Sequence, residues 1–365
     1  MPDLQRFIAS HNSPRQRWAI VTQRATVTRD GNWIVPALLA YGVDIQKILT
    51  PEHGISAQAE DGHTQHNGFD ARTGLPVISL YGDRLAPDET DLSDVDAIVV
   101  DLPNIGCRFY TYWWTITYVM EACAQFRKKL VILDRPNWRS KCTTEGPVLA
   151  AGCASFLGRW PMPVTYTLTY GELAQHFTTN RKLHLDLHVV PTQEPLVFIP
   201  PSPSIGSRET IPLYPATGLL EGVNISEGRG TAFPFRVMGA PWLRGADLLA
   251  AVAGWQTEGL RVSEFCFLPM WGIHAGKYCE GLYLEVTDPL RFRPVAFGLR
   301  LLNYLGMTYP HQLTPRSYPT AANPTGANHL DRLTGIPNAY DTICCQGWLS
   351  RAAIDALTAA PPGSW

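Results

Sequence analysis

The chain has 365 residues, of which 45% are apolar and 17% charged, a balance that suits a folded globular enzyme and excludes a disordered or low-complexity chain. Its formal net charge is −2 and it has no basic run, which argues against nucleic acid or an anionic membrane surface as partner. No stretch of about 18 apolar residues occurs, so no transmembrane helix is expected, and the length predicts two domains rather than one.

The N-terminus carries no basic region followed by an apolar run, so no secretion signal is expected and the cytoplasm is the expected location. The eight cysteines are scattered and are expected to be buried thiols. Residues 18–21 predict a strand, and residues 32–41 a helix with Pro36 in its first turn. Residues 43–50 alternate apolar and polar like a strand and run into Pro51-Glu52-His53-Gly54. A carboxylate beside an imidazole, flanked by Pro and Gly, is poor core material, and loops at strand ends are where α/β proteins place their chemistry. The polar segment 57–74 is long for a connection without a function.

Residues 76–81 and 95–100 predict further strands, the second ending in Asp101-Leu102-Pro103-Asn104 and the Gly106 turn with Arg108, Tyr110 and Tyr112. After a predicted helix at 113–126, the apolar strand 130–133 ends in Asp134-Arg135-Pro136-Asn137. Three apolar strands ending in acidic loops predict one shared site along the edge of a parallel sheet. Strands alternating with helices predict βαβ units and a doubly wound, Rossmann-like sheet. Neither GxGxxG nor a P-loop is present, so no nucleotide cofactor is expected.

Thr169-Tyr170-Gly171-Glu172 has the spacing of a capping box, which gives Glu172 a structural task. The Pro-rich residues 198–206 mark the expected domain boundary. The expected division is a Rossmann-like catalytic domain over 1–206 and a smaller α+β domain over 207–365, with the site in the cleft between them. In the second part, 219–223 predict a strand leading into Asn224-Ile225-Ser226-Glu227-Gly228-Arg229-Gly230-Thr231, 281–287 another strand, and 293–305 a helix. The tail, 359–365, is expected to be poorly ordered.

Two readings attach to each candidate residue. Glu52 is a general acid in a cleft, or a helix cap or ion-pair partner. His53 orders its loop or touches substrate. Arg108 clamps a substrate carboxylate with Tyr110 and Tyr112 lining a sugar subsite, or it pairs with Asp101 inside an aromatic cluster. Glu227 and Arg229 form a surface ion pair, or a site that two flanking glycines let a ligand approach. Glu52, His53, His63, His66 and Asp101 could also gather round a divalent metal, although metal ligands are usually spaced more tightly.

Several motifs occur in order: Pro51-Glu52-His53-Gly54, Gly74-Leu75-Pro76-Val77 with Ser79-Leu80-Tyr81-Gly82, Gly106-Cys107-Arg108-Phe109-Tyr110-Thr111-Tyr112, Leu133-Asp134-Arg135-Pro136-Asn137, Glu145-Gly146-Pro147-Val148-Leu149, Gly171-Glu172-Leu173-Ala174, the Glu221–Gly230 stretch and Gly239-Ala240-Pro241-Trp242. Together, over roughly residues 18–310, they resemble the NamZ-type exo-β-N-acetylmuramidases. The resemblance implies release of terminal N-acetylmuramic acid from the non-reducing ends of peptidoglycan fragments, with Glu52 at the position of the proposed catalytic glutamate. The enzyme so read is expected to need no metal and no organic cofactor and to take a peptidoglycan-derived saccharide as partner; the sequence does not give its oligomeric state. His53 and Glu227 are expected beside Glu52 in the chemistry. Asp101, Arg108, Tyr110, Tyr112, Asp134, Arg135, Asn224 and Arg229 are expected on the substrate, with Arg108 favoured as the clamp for the lactyl carboxylate. The second catalytic group stays open among Glu227, Asp101 and the substrate's own acetamide. The chain departs from the family pattern at Asn104, where an aspartate is usual, and at Thr165-Tyr166-Thr167-Leu168, where Arg-His-Gly-Met is usual. A non-catalytic carbohydrate-binding protein on the same fold, and a metal-dependent hydrolase using His63 and His66, are the alternatives.

Overall fold

The computed structural model of the protein describes residues 2–13, 15–255 and 257–359, so the expectation for the tail lies, from residue 360 on, outside the described residues. Seven strands form the first sheet: β1 (Arg17–Val21), β2 (Asp44–Thr50), β3 (Gly68–Phe69), β4 (Pro76–Ser79), β5 (Ala97–Val100), β6 (Lys129–Asp134) and β7 (Leu187–Pro191). Their order is β3-β4-β2-β1-β5-β6-β7, parallel throughout except for the short edge strand β3 on β4. Helices α1 (Pro2–His11), α2 (Ile34–Ala40), α3 (Glu89–Leu92), α4 (Tyr112–Gln125) and α5 (Tyr170–Asn180) flank it.

The pleat sends alternate side chains to opposite faces. Trp18 and Ile20 of β1 belong to one apolar cluster with Ile48, Val99 and the α2 residues Ile34, Val35 and Leu38. Ala19 and Val21 belong to another with Leu49, Val100 and the α4 residues Ile116, Val119 and Met120. Both faces are therefore covered, as a parallel sheet requires. The capping box forms in both directions: Glu172 N donates to Thr169 Oγ1 (3.2 Å), and Thr169 N donates to Glu172 Oε2 (2.8 Å).

The second half contains α6 (Tyr214–Thr217), α7 (Gly245–Ala253), α8 (Pro294–Thr308), α9 (His329–Thr334) and α10 (Arg351–Thr358). It also holds β8 (Val237–Ala240), β9 (Leu260–Phe267) and β10 (Cys279–Val286), an antiparallel sheet in the order β8-β10-β9. The strand expected at 219–223 is instead a 3₁₀ helix, Gly218–Gly222. Periodicity cannot separate the two in so short an apolar run. Here packing decides: a Cβ on Gly222 would lie 2.6 Å from that of Leu330 in α9.

Residues 198–206 do not hang free between two bodies. Ser202, Ser204 and Ile205 are buried, and the Pro201 carbonyl accepts from the Tyr110 and Tyr112 hydroxyls (3.3 and 2.6 Å). One apolar core runs from Trp113 and Tyr170 through Phe235 to Leu282 and Leu302, so the two halves share it. All eight cysteines are free thiols, but Cys266 and Cys345 are exposed, which corrects the expectation of uniform burial. Cys266 points outward because β9 is an edge strand that alternates faces. Among the described residues no helix is long and apolar enough to cross a membrane.

Candidate active site

Strand β2 is buried over its last four residues and delivers Glu52 two residues past its end. The Glu52 carboxyl is held at both oxygens. Gly62 N donates to Oε1 (2.8 Å) and the Thr111 hydroxyl to Oε2 (2.6 Å). The next two residues turn sharply, with His53 at φ 70° and Gly54 at φ 66°. A left-handed histidine is uncommon and costs backbone energy. His53 Nδ1 lies 2.8 Å from the Ala59 carbonyl. A carbonyl only accepts, so Nδ1 carries the hydrogen and Nε2 is left for a ligand. Tyr81, next to Glu52, has its phenol pKa pushed up by burial and by the Glu52 charge, so it stays a neutral hydroxyl.

The second loop is built around Arg229. Gly228 and Gly230 take φ +88° and +80°, and a Cβ on Gly230 would fall 2.4 Å from the Trp271 carbonyl. These glycines let the loop fold tightly and send Arg229 inward. Its Nη1 donates to Glu221 (2.9 Å) and Glu227 (2.7 Å), and its Nε lies 3.2 Å from Asp61 Oδ1. Asp61 also accepts from the Tyr318 hydroxyl. Glu221 faces His329 Nε2 at 3.4 Å. Burial alone would raise the carboxyl pKa values of Asp61 and Glu221. Both nevertheless sit below the ordinary range, because the Arg229 charge and hydrogen bonds from Tyr318 and His329 outweigh burial.

The two loops meet. Gly62 N bonds Glu52, and its neighbour Asp61 pairs with Arg229, so one peptide links the Glu52 loop to the 224–231 loop. The meeting point is a cavity lined by both halves of the chain. The first half lines it with Glu52, His53, Asp61, Tyr81, Tyr110 and Thr111, and the second half with Glu221, Arg229, Tyr318, His329 and Arg332. Residues 202–205 close a wall.

Other expected site residues are not brought to this cavity. Arg108 is fully buried and donates to three backbone carbonyls, Pro147 (2.9 Å), Met162 (2.8 Å) and Leu333 (2.8 Å). Neither alternative read from the sequence fits it: it touches neither Asp101 nor the cavity. Burial pulls its pKa down to about 10. Asp101 instead accepts from Nε and Nη2 of Arg135 (2.5 and 2.9 Å), and Nη2 also donates to the Val27 carbonyl (2.8 Å). Asp134 accepts from Gly171 N and the Thr169 hydroxyl (2.8 Å each), so it caps α5. Burial raises its pKa above the ordinary value despite those bonds. Asn224 ties Gln312 and Thr314 in place (2.8 and 2.9 Å), and Tyr112 is held on Pro201. Glu227 stands behind Arg229 rather than on the cavity wall. The acids Asp101 and Asp134 at the ends of β5 and β6 therefore do not join Glu52; β2 feeds the cavity directly, β4 adds Tyr81, and β5 reaches it only through Tyr110 and Thr111 at the far end of its loop. His63 and His66 are exposed, His63 beside Glu60 (3.4 Å). Among the described residues no three His, Cys, Asp or Glu side chains converge as metal ligands.

The sequence reading passed over Asp61, Glu221, Tyr318, His329 and Arg332. Asp61 lay inside the long polar segment singled out for its length, and Glu221 inside the Glu221–Gly230 motif. Tyr318, His329 and Arg332 lie beyond the last motif, where no local pattern announced them.

Residues 18–209 match the family described as "Exo-beta-N-acetylmuramidase NamZ, N-terminal", and residues 212–356 its C-terminal counterpart. The chain is 36% identical over 278 residues to the peptidoglycan β-N-acetylmuramidase NamZ of Bacillus subtilis (strain 168), covering 73% of this chain and 67% of that protein. Two crystal structures of DUF1343 family proteins from Bacteroides fragilis NCTC 9343 share the fold. One has a TM-score of 0.77 at 26% identity, covering 88% of this chain and 84% of the other. The second has a TM-score of 0.71 at 24% identity, covering 97% and 93%.

Proposed function

This chain belongs to the NamZ family of exo-β-N-acetylmuramidases, and from that premise we propose that it releases terminal N-acetylmuramic acid from the non-reducing ends of peptidoglycan fragments, with Glu52 as proton donor. The chain is a glycoside hydrolase, so the question is which groups do the work. Glycosidic cleavage needs a carboxyl to protonate the leaving oxygen while positive charge builds on the sugar ring. The observation that carries the reading is the placement of Glu52 on the cavity wall, fixed at both oxygens by Gly62 N and Thr111. The Thr111 hydroxyl can reverse its bond when Glu52 carries a proton, so the same site accommodates both protonation states.

Asp61 supports the second role better than Glu227 or Asp101. It lines the cavity, and Arg229 and Tyr318 keep it an anion. A fixed carboxylate there stabilises the oxocarbenium-like charge without reorganising. His53, through Nε2, and Tyr110 offer contacts to the sugar. Replacing Glu52 by Gln keeps the shape and removes the proton. Turnover of a peptidoglycan-derived disaccharide should then fall roughly 10²–10⁴-fold, while N-acetylmuramic acid still binds. A variant keeping more than about a third of wild-type kcat is incompatible with general acid catalysis of that size.

A further inference from the structure

We propose that Arg332 is the anchor for the lactyl carboxylate that distinguishes N-acetylmuramic acid from N-acetylglucosamine; this rests on the substrate class just assigned. The cavity is otherwise hostile to an anion. Glu52, Asp61 and Glu221 line it, Glu227 stands just behind, and Arg229 is already engaged by Asp61, Glu221 and Glu227. His329 faces Glu221, and His53 gives its Nδ1 hydrogen to Ala59. That leaves Arg332. It lines the same cavity, is half-buried, and among the described residues forms no ion pair or side-chain hydrogen bond.

Its base is nevertheless fixed. The adjacent Asp331 accepts from the backbone N–H groups of Asn338 and Ala339 (2.9 and 2.8 Å) and so pins the end of α9. On its other side the Leu333 carbonyl is held by Arg108 (2.8 Å). A Cβ on Gly335 would sit 2.9 Å from the same guanidinium, so this turn is moulded round Arg108. Arg108, the residue expected to hold the substrate, instead holds the backbone that presents Arg332. A guanidinium on a rigid base, with all its donors unengaged, is what bidentate carboxylate recognition requires.

The test compares wild type and Arg332→Gln on two chromogenic substrates, an N-acetylmuramide and the same compound with its lactyl carboxylate converted to the carboxamide. KM for the acid should rise roughly 10–150-fold, the equivalent of about 1.5–3 kcal/mol for a charge-assisted pair. Its kcat, and KM for the carboxamide, should stay within about threefold, a change too small to represent a lost charged bond. Arg332→Lys should recover part of the loss. Equal losses on both substrates, or no change on either, would overturn the assignment. Calorimetric binding of free N-acetylmuramic acid needs no turnover. If wild type binds it in an Arg332-dependent way yet hydrolyses neither substrate, the Glu52 reading fails and the anchor stands.

Discussion

Arg135 and Arg229 are both buried arginines at the mouth of a loop, and both hold carboxylates, but they end in opposite situations. Arg135 has one acid, Asp101, gripped through Nε and Nη2, and Nη2 also donates to a backbone carbonyl. The pair is balanced, one acid to one base. Arg229 has three acids, Asp61, Glu221 and Glu227, and it borders an open cavity. One guanidinium cannot neutralise three carboxylates, so negative charge remains where a sugar would sit. A balanced ion pair finishes a fold; an unbalanced one beside a cavity is poised to act on a ligand whose transition state is positive. Arg108 is a third case: a buried guanidinium with no acid, carried by carbonyls alone.

The sharpest way to break this contrast is Arg229→Gln. Removing the one cation leaves three carboxylates facing one another, and losing one partner of a buried pair typically costs about 3–5 kcal/mol, read in urea unfolding. Activity should fall by roughly tenfold or more as Asp61 loses its counter-charge. A variant as stable and active as wild type would show that the Arg229 charge matters to neither the fold nor the chemistry.

Acid sensitivity follows from the same cluster. Asp61 and Glu221 lie below their ordinary values of 3.8 and 4.5. Carboxyls with lowered folded values contribute stability that is fully present above those ordinary values and is lost as pH falls through the lowered ones. Arg229→Gln removes the lowering, so the stability gap between wild type and variant should narrow as pH falls through this range, because protonation costs the wild type its ion pairs but relieves carboxylate repulsion in the variant. A gap that does not change with pH would mean that other groups keep these carboxyls ionised.

Asp101→Asn addresses the balanced partner. It leaves Arg135 buried with half its compensation, so stability should again fall by about 3 kcal/mol or somewhat less, since the amide keeps one acceptor. Here kcat on any muramide should stay within about threefold, because Asp101 lies away from the cavity; distant sites act independently. A large kcat loss in a folded Asp101→Asn would restore the shared-edge site that the strand ends suggested.

Much of the molecule was legible in the chain. β1, β2, β5 and β6 announce themselves as apolar runs ending in polar loops, and the capping box at Thr169 and Glu172 forms as its spacing predicts. Glu52 and Arg229 stood out because Pro, Gly and charge together do not build a core, and the structure brings both to one cavity. What sequence could not decide was which arginine meets a ligand. Arg108, Arg135 and Arg229 look alike in sequence, and their roles depend on partners 34 to 225 positions away or on the near neighbours Glu221 and Glu227. Arg332 was invisible for the complementary reason: it is defined by partners it lacks among the described residues.

The central claim is that Glu52 gives its proton to the departing oxygen, and the most direct measurement varies how badly that oxygen needs it. Wild type and Glu52→Gln would be compared on N-acetylmuramides with leaving groups from nitrophenol to N-acetylglucosamine. The loss in kcat/KM should shrink from roughly 10²–10⁴-fold for the sugar toward a few-fold for nitrophenol, which departs without protonation. A loss of the same size across the whole series would contradict proton donation by Glu52 and leave it a residue that shapes the cavity.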